Sequence, residues 1–189
     1  MGLSATMPRV YLAGPGVFRE DAASFGKMLQ EKCSRAGLDG CYPLGADIAL
    51  GTALETARAI YRANVALIDS ASAIIADISP FRGPNMDQGT AWEIGYGIAK
   101  DLPVYAWSTD FADLLRRTQR HAGTHVQNGR AVDEKGWTIE DFGLIENLMI
   151  AVSCTSIHRS QDEAISACAA ALTKRGAVGL ALQRDGEHR

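Results

Sequence analysis

The stretch AIIADISPFRGPNMDQGTAWEIGYGIAK, residues 73–100, decides the fold. It opens as a short apolar run over 74–78, interrupted by Asp77 alone. So short and branched a run predicts a buried parallel strand. Pro80, Gly83 and Pro84 predict a loop. A helix is expected from Gly89 or Thr90 to Lys100, with Pro103 preventing its continuation. Three acids thus fall at one strand–loop–helix junction. Asp77 ends the strand, Asp87 lies in the loop and Glu93 is expected in the first helical turn. Open α/β sheets bind ligands at the carboxyl ends of their strands, so the chemistry is expected here.

Each acid also has a purely structural use. Thr90-Ala-Trp-Glu93 matches a capping box, in which the threonine caps the helix and the glutamate reaches back to the cap's own N–H. Asp87 can serve as a turn former or an alternative cap. Asp77 can accept N–H groups of the loop that follows, but a carboxylate after apolar strand residues is partly desolvated and needs compensation.

Working outward, residues 9–13 predict a strand, and Gly14-Pro15-Gly16 a tight loop that brings backbone close to a ligand. The dinucleotide fingerprint needs a further glycine near Arg19, which is absent. Residues 18–36 have helical period, 40–42 predict a second strand, and 45–52 a loop. A helix over 54–68 is expected to turn Ile60, Asn64, Leu67 and Ile68 toward the sheet. Residues 103–107 predict the fourth strand and 111–117 a short helix. From 118 to 141 the pattern becomes a long polar loop, a feature that is usually functional or mobile. Helix is expected again over 139–152, a fifth strand over 153–157 and a last helix over 162–174, ended by Gly176. Residues 1–8 and 177–189 are expected to be flexible ends of one domain spanning 1–189.

Alternating strands and helices predict an α/β fold: a flavodoxin-like, Rossmann-like doubly wound parallel sheet of about five strands in 2-1-3-4-5 order, with helices on both faces. Gly95 and Gly97, costly inside a helix, mark close packing of the helix on a neighbouring element, with another subunit as one candidate. Trp92 and Tyr96 are expected in the core.

With 189 residues, one domain can bury a full core. A net charge of −3 gives no reason to expect nucleic acid as a partner. No apolar run approaches a membrane span. Residues 1–8 lack the basic start and apolar core of a signal peptide. Cys33, Cys41, Cys154 and Cys168 are scattered, as expected of reduced core thiols in a cytoplasmic protein. His121 and His125 have i, i+4 spacing, but Gly123 and Thr124 lie between them and no acid stands at a ligand position, so no metal is expected.

Tyr11-Leu-Ala-Gly-Pro15, Ala76-Asp77, Asp87-x-Gly89-Thr-Ala-Trp-Glu93-x-Gly95-Tyr-Gly97 and Asn147-Leu-Met149 together resemble the nucleoside 2-deoxyribosyltransferase family. The resemblance implies exchange of the base of a 2'-deoxynucleoside for another base through a covalent 2-deoxyribosyl enzyme, without metal or cofactor. It implies Glu93 as nucleophile and Tyr11 as the group that orients it. Asp77 and Asp87 would face the base, one of them holding the proton for the leaving nitrogen. Phe18 would pack beside the base, with Gly14, Pro15 and Gly89 also at the substrate. Asn147 and Met149 would belong to a neighbouring subunit of a homo-oligomer, Asn147 reaching the sugar 5'-hydroxyl. Two other readings remain: a hydrolase of the same superfamily acting on deoxynucleoside 5'-monophosphates, with Arg82 as the nearby cation, and a non-catalytic nucleotide-binding module. Acids repel phosphate, so three of them at one junction speak against the module.

Overall fold

The computed structural model describes residues 6–44 and 51–186. In chain order the elements are β1 (Arg9–Ala13), a 3-10 turn (Pro15–Phe18), α1 (Ala22–Arg35), β2 (Asp39–Cys41), α2 (Ala53–Asp69), β3 (Ala73–Asp77), α3 (Gln88–Ala99), β4 (Val104–Trp107), α4 (Leu114–His121), β5 (Thr124–Gln127), β6 (Arg130–Asp133), α5 (Leu148–Ala151), β7 (Ser156–His158) and α6 (Gln161–Gly186). Five strands pair in parallel in the order β2-β1-β3-β4-β7. With β7 as the fifth strand of that sheet, this is the flavodoxin-like order.

Strand residues alternate between two cores. Val10, Leu12, Ile75 and Tyr105 face α1 and α6, meeting Leu29, Cys33, Ile165 and Cys168. Tyr11, Ala13, Ile74, Ala76 and Val104 face the other way, with Ile68 of α2 and Ile94 of α3. Full burial of an isoleucine such as Ile74 or Ile94 stabilises the fold by about 1.5–3 kcal/mol. Gly97 lies so close to Ile74 that a Cβ would collide with it, whereas a Cβ at Gly95 would meet open space. The two glycines of α3 therefore have different causes, and only Gly97 is required by packing on the sheet.

Several expected boundaries move. Helix α1 begins at Ala22 rather than at residue 18, because Pro15–Phe18 form a 3-10 turn instead. Residues 45–50 of the expected loop lie outside the described residues, as do the ends 1–5 and 187–189. Of the residues expected on the sheet side of α2, only Ile68 is buried, and Ile60 is exposed. The helix expected over 111–117 is α4, which starts after Asp113, whose side chain caps it by accepting from Arg116 N.

The long polar loop is not structureless: β5 and β6 form an antiparallel hairpin within it. Asn128 and Gly129, both at positive φ (52° and 76°), make its two-residue turn. The helix expected over 139–152 shrinks to α5, four residues long. Gly143 at φ 67° interrupts it, and the Glu140 carboxylate takes Leu148 N before the helix begins. The last helix, α6, runs through Gly176 to Gly186, beyond the expected end. Trp92 is exposed, stacked on Tyr96 and edge-on to Tyr61, rather than in the core. Among the described residues no helix is long and apolar enough to cross a membrane.

Candidate active site

Pairing of Ala13 with Ala76 brings the carboxyl ends of β1 and β3 side by side. Gly14 then passes directly against Asp77. Its φ of 153° suits glycine, and a Cβ there would lie 2.8 Å from the Asp77 Cβ. Asp77 Oδ1 accepts from Ser79 N at 2.9 Å. Burial raises the Asp77 pKa above the usual carboxyl value, and the Ser79 bond offsets part of the rise. Asp77 borders a small hollow shared with Gly14, Phe25, Tyr42 and Trp107.

The loop and α3 supply the other two acids. Asp87, not Thr90, caps α3: its Oδ2 accepts from Thr90 N at 2.9 Å and Thr90 Oγ1 at 3.0 Å. The expected Thr90–Glu93 capping box is therefore absent. With the cap three residues earlier, Glu93 lies beyond the first turn and is free for another partner. That partner is Tyr11, buried on β1, whose hydroxyl donates to Glu93 Oε1 at 2.5 Å.

Helix-dipole stabilisation fades beyond the first turn. Accordingly no lowering of the Glu93 pKa by the helix terminus is found. Burial instead pushes Glu93 up to about 7, the Asp87 charge adds to the rise, and the Tyr11 bond opposes it. Burial and the facing carboxylate raise Tyr11 too, so the shared proton stays on the phenol.

An open cleft of about 420 Å³ lies over these groups, lined by Gly14, Val17, Phe18, Ile60, Asn64, Asp87, Gly89, Thr90 and Glu93 among others. Its size falls within the range of small-ligand pockets. Phe18 is 59% exposed, stacks on Phe81 with centroids 5.5 Å apart, and lies under the Arg82 guanidinium. Pro15 opens the 3-10 turn that carries Phe18. Asp87 and Glu93 therefore share the cleft, Tyr11 stands behind Glu93, and Asp77 stands behind Gly14. Asn147 and Met149 are not among the cleft residues. Asn147 borders a separate cavity of about 490 Å³, and Met149 is 71% exposed.

Asn64, Ile60 and Phe81 were not expected at the site. The first two share one face of α2 at i, i+4, which the sequence pattern assigned to the sheet. Among the described residues no group of three or more His, Cys, Asp or Glu could hold a metal ion.

A doubly wound sheet whose carboxyl edge carries an oriented carboxylate in an open cleft belongs to the α/β proteins that bind at the strand ends. Comparison with known proteins narrows that class. A family model of the nucleoside 2-deoxyribosyltransferases matches residues 10–149, and the chain belongs to that family. The solved 2-deoxyribosyltransferase from Leishmania mexicana superposes with a TM-score of 0.69 at 29% identity, covering 86% of this chain and 97% of its own. The 2-deoxyribosyltransferase of Bacillus psychrosaccharolyticus shares the fold, with a TM-score of 0.51 at 18% identity over 82% of this chain and 88% of its own. An uncharacterized protein of Schizosaccharomyces pombe is 30% identical over 158 residues, 76% of this chain and 75% of its own.

Proposed function

We propose that the protein transfers the 2-deoxyribosyl group of a 2'-deoxynucleoside from one nucleobase to another, with Glu93 as nucleophile. The observation that carries the proposal is the Glu93 carboxylate, held at 2.5 Å by the Tyr11 hydroxyl in the cleft beside Asp87. A Glu93 oxygen attacks C1', the C1'–N bond breaks, and its electron pair leaves with the base. An aspartic acid supplies the proton that makes the base a competent leaving group. Asp77 is assigned this role because burial favours its protonated form. Asp87 orients the base from the cleft wall. The second base loses its proton to the same aspartate and attacks C1', returning the bonding electrons to Glu93. Two displacements give retention at C1'. This exchange would serve nucleoside salvage in the cytoplasm, a setting in keeping with four free cysteines.

Keeping water off the ester intermediate calls for a cover, and a neighbouring subunit is the cover we propose. Large apolar side chains stand exposed in two stretches of the chain. Tyr61 and Trp92 lie on α2 and α3, and Trp137, Phe142 and Met149 surround Asn147 in the chain. Exposed groups of this kind mark interaction surfaces. Asn147 and Met149 of one copy would complete the cleft of the next.

The test is incubation with 2'-deoxyinosine, with and without adenine. Deoxyadenosine formed only with adenine, and faster than hypoxanthine is released without it, is the expected result. Hypoxanthine release that ignores adenine would make the protein a hydrolase. That second reading draws on Arg82, a cation above Phe18 at the cleft. It would require the Arg82→Ala variant to lose cleavage of deoxynucleoside 5'-monophosphates.

A further inference from the structure

The amide of Asn147 is held from two sides. Its Nδ2 donates to Glu140 Oε1 at 2.6 Å, and its Oδ1 accepts from Met149 N at 3.0 Å. Glu140 Oε2 also accepts from Leu148 N at 3.0 Å, which fixes the carboxylate itself. The amide cannot flip without losing both of its bonds. A side-chain amide has two N–H groups and two lone pairs, so one of each is left for a ligand.

Two glutamates flank Asn147, and they differ in one respect. Glu146 is buried against Arg117, with Nη2 3.0 Å from its Oε2, and it also accepts from Met86 N and Asn147 N. Its charge is neutralised where it stands. Glu140 is half-buried, and among the described residues no basic side chain pairs with it. One uncompensated negative charge therefore lies in contact with the Asn147 amide nitrogen.

We infer that Glu140 is a specificity-determining residue, which makes the Asn147 corner accept a free 5'-hydroxyl and reject a 5'-phosphate. The inference rests on the proposed reading of Asn147 as the contact to the 5' end of a sugar in the neighbouring copy's cleft. A hydroxyl is both donor and acceptor, so it can take the remaining amide N–H and donate to the amide or carboxylate oxygen. A phosphate monoester only accepts and carries a charge of about −1.5 to −2 near neutral pH. It meets one N–H and a fixed carboxylate, and like charges at close quarters discriminate strongly. The long stretch after α4 thereby acquires a purpose, since it carries Glu140 to the residue it conditions.

The experiment compares kcat/KM for 2'-deoxyinosine and for 2'-deoxyinosine 5'-monophosphate as donors, with adenine as acceptor, in wild type and Glu140→Gln. Glutamine keeps an oxygen for Asn147 but turns an NH2 toward Leu148 N, so both donors lose some rate and the ratio is the readout. Wild type is expected to prefer the nucleoside. Glu140→Gln is expected to narrow that preference on the order of tenfold, chiefly through the KM of the monophosphate. Equal losses on both donors, with the ratio unchanged, would assign Glu140 to structure alone and overturn the inference. A measurement on wild type guards against a variant that fails to fold. The KM of the monophosphate should fall as ionic strength rises to about 0.5 M, while that of deoxyinosine stays level. A flat or rising KM for the monophosphate overturns the inference. Wild type that exchanges no base from deoxyinosine removes the transferase reading itself, a result separable from exchange with an unchanged ratio.

Discussion

Glu93 carries two pH predictions. In the unfolded chain its carboxyl titrates near the ordinary value of 4.5, and in the fold near 7. Between those values the folded protein holds a proton that the unfolded chain has released. Stability contributed by this group therefore falls as pH rises through that window. Glu93→Gln removes the penalty, so its melting temperature should exceed that of wild type at pH 8 and differ less at pH 5, as calorimetry would read. The same variant should lose exchange on the order of a thousandfold or more. The variant should keep its fold, since Asp87 and not Glu93 caps the helix.

Tyr11 carries the companion prediction. If Glu93 must be ionised to attack, the acid limb of kcat/KM should fall near pH 7. Tyr11→Phe removes the hydrogen bond that favours the charged form, so that limb should move upward by about one pH unit. An acid limb that stays in place would separate Tyr11 from the nucleophile.

Helix α3 shows how much is legible without the fold. Its strand partner β3, the breakers between them and the acids at the junction follow from short branched runs, prolines and glycines. The start of the helix does not. Asp87 and Thr90 are both capping residues three apart; the capping-box pattern favours Thr90, whereas Asp is the slightly better cap and is the one used. The Asn128-Gly129 turn is a recognisable signal, but the surrounding polar residues hide the strand alternation of an exposed hairpin. Residues 139–146 keep a helical spacing of apolar side chains, while Gly143 and the side-chain bonds of Glu140 and Glu146 prevent a helix. Of the site, Glu93, Asp87 and Phe18 follow from spacing and resemblance. Asn64 does not, because α2 turns a partly exposed face toward the cleft, nor does Phe81, which comes from the loop after β3 and stacks on Phe18.

The glycines of α3 give a prediction at this scale. Gly97→Ala should destabilise the protein, since a Cβ collides with Ile74 in the core. Gly95→Ala should stabilise it by about 0.5–1 kcal/mol, a rise of a few degrees in melting temperature, because the space is open and alanine favours helix. The two shifts should have opposite signs in thermal unfolding of the single variants. A loss at Gly95 as well would mean that another chain packs there.

For the whole molecule, the separation of Asn147 from the cleft that holds Glu93 is the feature to test. If each cleft draws Glu93 from one copy and Asn147 from the next, Glu93→Gln and Asn147→Ala are complementary defects. Each alone should be inactive or nearly so. Mixed and reassembled in equal amounts, a dimer with shared sites should recover about a quarter of wild-type exchange, because half the assemblies are hybrid and each hybrid has one intact site. No recovery in mixtures shown to hybridise would mean that no cleft draws Glu93 and Asn147 from different copies.

The buried carboxylate has a thermodynamic consequence for catalysis. In the free protein, Glu93 at neutral pH is either a charge short of solvent or a protonated acid that cannot attack. The deoxyribosyl ester we propose would be neither: it would be neutral, and the desolvation that raises the free acid's pKa would no longer oppose it. On that mechanism, the burial that makes the free protein less stable would favour the loaded one. A loaded protein favoured in this way would persist until a second base arrives.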